Sequence, residues 1–125
     1  MKLLIVDDSV FVRRSIERTV RKEEWEIRMA PDGVEALKIF GSFQPELVTM
    51  DITMPKLDGL SCLHRMLDLR PETKILVISA LADKPTAVQA ITLGAQSFLL
   101  KPFTEEQLEE EIHELFAAEM EPALR

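Results

Sequence analysis

Five short apolar runs, each too short for a helix and each followed by a stretch of helical period, constrain this chain more than any other feature. The runs are 3–6 (LLIV), 25–29 (WEIRM), 47–50 (LVTM), 75–78 (ILVI) and 97–100 (SFLL), bounded by turn-forming or charged residues. Between them, Val12, Ile16 and Val20 recur at four, Val34, Leu37 and Phe40 recur at three, and Leu108, Ile112, Leu115 and Phe116 fall at i, i+4, i+7 and i+8. Stretches 59–69 and 84–93 complete five helices with weaker patterns. Asp32-Gly33 and Asp58-Gly59 precede helical periods, so they read as helix entrances rather than hairpin turns. Strands that alternate one for one with helices pair in parallel, because a parallel neighbour is reached only through a long crossover. The near-continuous apolar character of the strands agrees, since it suits a sheet covered on both faces. The expected architecture is α/β, with five parallel strands and five helices.

Composition narrows what such a fold can do. A chain of 125 residues is long enough for one domain with one core, and 46% hydrophobic residues with only four glycines argue against disorder. The net charge of -7 argues against direct nucleic-acid binding, which needs a basic stripe to displace counterions. Basic residues do gather in 10–22 (Arg13, Arg14, Arg18, Arg21, Lys22). Glutamates gather in 104–121 (Glu105, Glu106, Glu109, Glu110, Glu111, Glu114, Glu119, Glu121); both runs read as solvated faces. The single cysteine, Cys62, cannot form an internal disulfide and fits a reducing compartment. The opening "MKLLIVDDS" has an apolar run of four residues stopped by two acids, too short for a signal peptide, and no stretch approaches a transmembrane length. A cytoplasmic protein without membrane contact is expected, with a domain over 1–119 and a tail over 120–125, where Pro122 opposes further helix.

In an open parallel sheet, ligands bind outside the carboxyl ends of the strands. The first strand is followed by Asp7 and Asp8, the third by Asp51, the fourth by Ser79 and the fifth by Lys101. The second is followed by Ala30 and Pro31, which offer no chemistry and suit an outer strand. Three carboxylates on one rim repel one another and call for a cation, and oxygen-only ligands select a hard one such as Mg²⁺. Ser9 is a plausible N-cap for the first helix, whose positive end then faces the acids.

The motifs "VDDS", "MDITMPKLDG", "ISA" and "KPF", in this order and spacing, resemble those of the receiver domains of two-component response regulators, chemotaxis type, over residues 2 to about 117. The resemblance implies a doubly wound, flavodoxin-like sheet in the order 2-1-3-4-5, which chemotaxis receivers share with flavodoxin. It implies that Asp51 takes a phosphoryl group from a sensor histidine kinase as a mixed anhydride, and that Lys101 contacts that group. Asp7, Asp8, Asp51 and the backbone carbonyl of Thr53 would hold Mg²⁺. Pro102 would follow Lys101 through a cis bond, and Pro55 and Gly59 would shape the loop beside Asp51. Ser79 matches the switch hydroxyl and Phe98 the switch aromatic; serine is smaller than the commoner threonine, and phenylalanine lacks the hydroxyl of tyrosine. The readout would be the face of helix 4, strand 5 and helix 5, roughly residues 84 to 116. The implied role is a phosphoacceptor, with no activity beyond its own phosphoryl transfer and loss, and its implied output partner is a flagellar motor switch protein. A phosphorelay carrier and a receiver cut from a longer transcriptional regulator are the alternatives.

Other classes fit less well. A haloacid-dehalogenase-type phosphatase needs a second aspartate two residues after its nucleophile, where this chain has Thr53, and it needs length for a cap domain. A flavin phosphate would avoid three carboxylates, and a receiver that signals without phosphate would not need every pocket position filled. His64 and His113 lack partners at metal spacing, and Cys62, Met50, Met54 and Trp25 read as packing residues.

Overall fold

The computed structural model describes residues 1–52, 58–80 and 84–120. Its elements are β1 (Lys2–Val6), α1 (Val10–Val20), β2 (Glu26–Ala30), α2 (Gly33–Phe43), β3 (Leu47–Met50), α3 (Gly59–Leu69), β4 (Lys74–Ser79), α4 (Lys84–Thr92), β5 (Ser97–Leu100) and α5 (Glu105–Met120). All the strands pair in parallel, in the order β2-β1-β3-β4-β5, so the doubly wound sheet read from the sequence is the one observed.

Strand residues alternate between faces, and each face builds its own core. Leu4, Val6, Val48, Met50, Ile75 and Val77 pack with Ala36 and Phe40 of α2, Cys62, Leu63 and Met66 of α3, and Ala90 of α4. Leu3, Ile5, Leu47, Leu76, Ile78 and Leu99 pack with Ile16 and Val20 of α1 and with Leu108, Ile112 and Phe116 of α5. Each fully buried leucine or isoleucine is worth about 1.5–3 kcal/mol. Cys62 is core filler here, and burial pushes its thiol up to about 12.

Among the described residues, four helix starts are fixed by side chains that accept otherwise orphaned backbone N–H groups, that of α5 by Thr104 Oγ1, which accepts from the N–H of Gln107. Ser9 Oγ accepts from the N–H of Val12, Asp32 Oδ1 from that of Glu35 and Asp58 Oδ1 from that of Ser61. The Ser61 N–H also holds the Asp58 carboxyl below the usual carboxylate range. Both Asp-Gly pairs are therefore helix entrances, as the periodicity required.

Several boundaries differ from the sequence reading. β2 runs from Glu26 to Ala30, because Glu26 pairs with Lys2 and Ala30 with Val6. Trp25 falls outside it, its ring 5.9 Å from that of Phe116. Ser79 is the last residue of β4, paired with Leu100, rather than the first residue beyond it. α5 continues through Met120. The two charge runs meet at the surface: Lys22 Nζ, largely exposed, lies 3.4 Å from Glu105 and 3.3 Å from Glu109, an exposed contact between α1 and α5. His113 adds a contact to Glu23 at 3.1 Å. Among the described residues, no helix is long and apolar enough to cross a membrane.

Candidate functional site

The site lies at the carboxyl edge of the three strands β1, β3 and β5, where the ladder continues one residue beyond each strand or into it. The N–H of Asp7 donates to Ala30 O at 3.2 Å, that of Asp51 to Val6 O at 2.9 Å and that of Lys101 to Ser79 O at 2.9 Å. With these backbones pinned, alternation decides where each side chain goes. Asp7 is in step with Leu3 and Ile5, Asp51 with Leu47, and Lys101 with Leu99, so all three emerge on the α1/α5 side.

Asp7 is only 1% exposed and Asp51 only 3%, whereas Asp8 is exposed. One carboxylate oxygen from each of the three lies within 4.8 Å of the others. Asp7 Oδ1 accepts the N–H of Ser9 at 2.9 Å, and its Oδ2 lies 2.8 Å from Lys101 Nζ. The same Nζ lies 3.6 Å from Asp51 Oδ2. A lysine on a strand end is thus the counter-ion of two buried acids. The peptide bond between Lys101 and Pro102 is cis.

α3 closes the site from below. A Cβ on Gly59 would lie 2.2 Å from the carbonyl oxygen of Asp51 and 2.6 Å from Ile52 Cα, and the Gly59 N–H donates to Ile52 O at 2.9 Å. Only glycine lets the start of α3 approach the Asp51 backbone this closely.

The structure gathers Asp7, Asp8, Asp51 and Lys101, and sets Ser79 beside them, buried and joined to Lys101 through the backbone. Phe98 is elsewhere: half-buried against the α2–α4 core and paired in register with Val77, two residues before Ser79. Thr53 and Pro55 lie outside the described residues. One residue that the sequence reading assigned to a solvated face sits at the site's edge. Arg13 Nη1 donates to the main-chain carbonyl of Asp7 at 2.6 Å. A contact from side chain to backbone leaves no pattern in residue spacing, so nothing in the sequence marked it.

Donor chemistry decides what such a site can hold. Its ligand atoms are all carboxylate oxygens, two of the acids are sealed from water, and Lys101 balances only part of their charge. A hard divalent cation that prefers oxygen fits this set; a soft, thiolate-seeking one does not.

An α/β sheet of this order with acids and a lysine on its carboxyl rim defines a doubly wound domain with a polar site at its strand ends, and comparison with known proteins narrows it to one family. The family model described as "Response regulator receiver domain" matches residues 3–113. The chain belongs to the response regulator receiver domain family. It is 40% identical over 104 residues to the chemotaxis protein CheY of Listeria monocytogenes, covering 82% of this chain and 87% of that protein. It is 37% identical over 125 residues to the probable transcriptional regulator ycf27 of Cyanophora paradoxa, covering 98% of this chain but 51% of the relative. Among solved structures, a CheY-like receiver domain protein from Methanospirillum hungatei superposes with a TM-score of 0.90 at 26% identity, covering 97% of each chain. The CheX-CheY-BeF3-Mg²⁺ complex from Borrelia burgdorferi superposes with a TM-score of 0.87 at 32% identity, covering 93% of this chain and 89% of that one.

Proposed function

We propose that this receiver takes a phosphoryl group from a sensor histidine kinase onto Asp51 in a Mg²⁺-dependent reaction, and that the modified domain changes its affinity for an output protein. The observation that carries the reading is the gathering of Asp7, Asp8 and Asp51 within 4.8 Å, with Lys101 bonded to one buried acid and near another.

An Asp51 carboxylate oxygen forms the new P–O bond as the P–N bond of the donor phosphohistidine breaks, its electron pair remaining on the imidazole nitrogen. Asp7, Asp8 and Asp51, with the backbone carbonyl of Thr53, would hold Mg²⁺, whose contribution when bound is to offset negative charge on the transferring group. Lys101 is placed by β5 to shift from Asp7 towards a phosphoryl oxygen as a point-charge contact. The roles are those of an acceptor and its electrostatic frame; no separate substrate is turned over.

Ser79, buried at the end of β4 and joined to Lys101 through its backbone carbonyl, is the hydroxyl we assign to the switch, and a phosphoryl group adds about -1.5 to -2 charges with three acceptor oxygens. Shifting a surface from 1:99 to 99:1 needs about 5.5 kcal/mol of differential binding. Charge-assisted hydrogen bonds from Ser79 and Lys101, at about 1.5–3 kcal/mol each, are of the right size. Ser79 pairs with Leu100, whose side chain is exposed, as are those of Val88 and Ile91 on α4. That apolar patch, with Phe98 behind it as the moving aromatic, supports a readout on the α4–β5–α5 face. The similarity to CheY supports a chemotaxis output such as a flagellar motor switch protein, acting in the cytoplasm, with the receiver spanning residues 1–119 and residues 120–125 as a tail. The 98% coverage by half of a transcriptional regulator supports the alternative of a receiver from a longer regulator.

Immobilised wild type and Asp51→Asn, each incubated in native lysate with and without beryllofluoride and Mg²⁺, test the switch. Capture of a partner that depends on beryllofluoride in the wild type alone is expected. Identical capture in all four samples contradicts the proposal.

A further inference from the structure

The cations at the far end of α1 have partners there. Arg21 pairs with Glu17 of the same helix at 3.0 Å, and Lys22 reaches Glu105 and Glu109 on α5. Arg13 turns the other way, and its 2.6 Å bond to the Asp7 carbonyl spans the turn that carries both leading acids.

Asp7 is held at four points. Its N–H donates to Ala30 O, Oδ1 accepts from Ser9, Oδ2 meets Lys101, and its carbonyl accepts from Arg13. The first three fix its position in the sheet and the direction of its side chain. The fourth fixes the plane of the peptide that joins Asp7 to Asp8, because a carbonyl oxygen tied to a guanidinium cannot rotate freely about the chain. Asp8 has no side-chain partner of its own among the described residues. With no partner to select a rotamer, the place and the Cα–Cβ direction from which its carboxylate reaches out are set by its backbone. We propose that Arg13 is a positioning residue: by holding the Asp7–Asp8 peptide plane it aims the exposed Asp8 carboxylate into the cation site formed with Asp7 and Asp51.

This inference rests on the Mg²⁺ reading above and has a sign that separates it from plain electrostatics. By Coulomb's law alone, removing a positive charge next to three carboxylates should tighten binding of a divalent cation. If Arg13 acts by positioning, its loss should weaken binding, since residues that orient metal ligands typically cost 10–100-fold in affinity when removed.

Calorimetric titration of the full chain with MgCl₂ tests it, using wild type, Arg13→Ala, Arg13→Lys and Arg14→Ala, with thermal unfolding in the absence of Mg²⁺ to establish that each is folded. Arg13→Ala is expected to bind Mg²⁺ about tenfold more weakly. Arg13→Lys, which keeps the charge and a donor, should recover part of that loss, and Arg14→Ala should bind no more weakly than wild type. Should Arg13→Ala fail to fold, the Lys variant decides: affinity at or above that of wild type overturns the proposal. Unchanged or tighter binding by Arg13→Ala overturns the positioning role while leaving the cation site standing. A wild type with no saturable Mg²⁺ binding overturns both.

Discussion

Lys101 Nζ stands 2.8 Å from Asp7 Oδ2, a bond that ties the end of β5 to the end of β1 across the two intervening strands β3 and β4. It places one cation over a carboxylate that is almost completely sealed from water, and it is what lets the acids coexist when no divalent ion is bound. Removing the lysine leaves an uncompensated buried charge. Lys101→Met is expected to lose about 2 kcal/mol in Mg²⁺-free buffer, a value reduced from that of a wholly buried pair because the lysine is partly exposed. Millimolar MgCl₂ should then stabilise the variant more than it stabilises the wild type. Thermal unfolding with and without the ion measures both effects, and an equal Mg²⁺ response in the two proteins would contradict this role.

Gly59 is where α3 meets the Asp51 backbone. A methyl group there would lie 2.2 Å from a carbonyl oxygen, and backbone cannot give way as a flexible side chain can. Gly59→Ala should cost about 2–3 kcal/mol in urea unfolding, followed through Trp25 fluorescence, and should also weaken Mg²⁺ binding by displacing Asp51. Wild-type values in both measurements would show that the contact relaxes freely.

Thr49 carries a buried hydroxyl with no hydrogen-bond partner, between Ile5 and Leu76 in the sheet. Valine has nearly the same shape and nothing to desolvate. Thr49→Val is expected to stabilise the fold by about 1 kcal/mol. A comparable loss in urea unfolding would mean that the hydroxyl is satisfied in solution.

Asp58 contributes a pH-dependent increment. Its folded carboxyl is held below its ordinary value, chiefly by the Ser61 N–H, so the folded state binds fewer protons than the unfolded one near that value. The stabilisation is present above the unfolded value and is lost as pH falls through the folded one. Asp58→Ala should therefore be less stable than wild type by about 1 kcal/mol near neutral pH, with the gap narrowing below about pH 4. A gap that stays constant on acidification would contradict the cap's charge dependence.

Much of this was legible in the chain itself, for reasons that differ by residue. Leu47–Met50 and Ser97–Leu100 are strands with the limits their apolar runs suggest; all four residues of central β3 are buried, and in both strands the run stops at a charged residue, Asp51 or Lys101. Asp7, Asp51 and Lys101 could be set on one rim because a parallel sheet points all its carboxyl ends the same way. Trp25 misled the reading of β2: a large apolar residue satisfied by Phe116 on α5 looks, in sequence, like one satisfied by a sheet. The partner of Lys101 and the contact of Arg13 with a main-chain oxygen depend on side-chain reach across the fold, which spacing along the chain does not encode.

Intact-mass analysis after incubation with acetyl phosphate and MgCl₂, followed by peptide mapping, tests the central claim most directly. The wild type should gain the mass of one phosphoryl group, carried by Asp51, with no gain when Mg²⁺ is chelated or when Asp51→Asn is used. A full-stoichiometry gain in Asp51→Asn, or none in the wild type with Mg²⁺ present, would contradict the account.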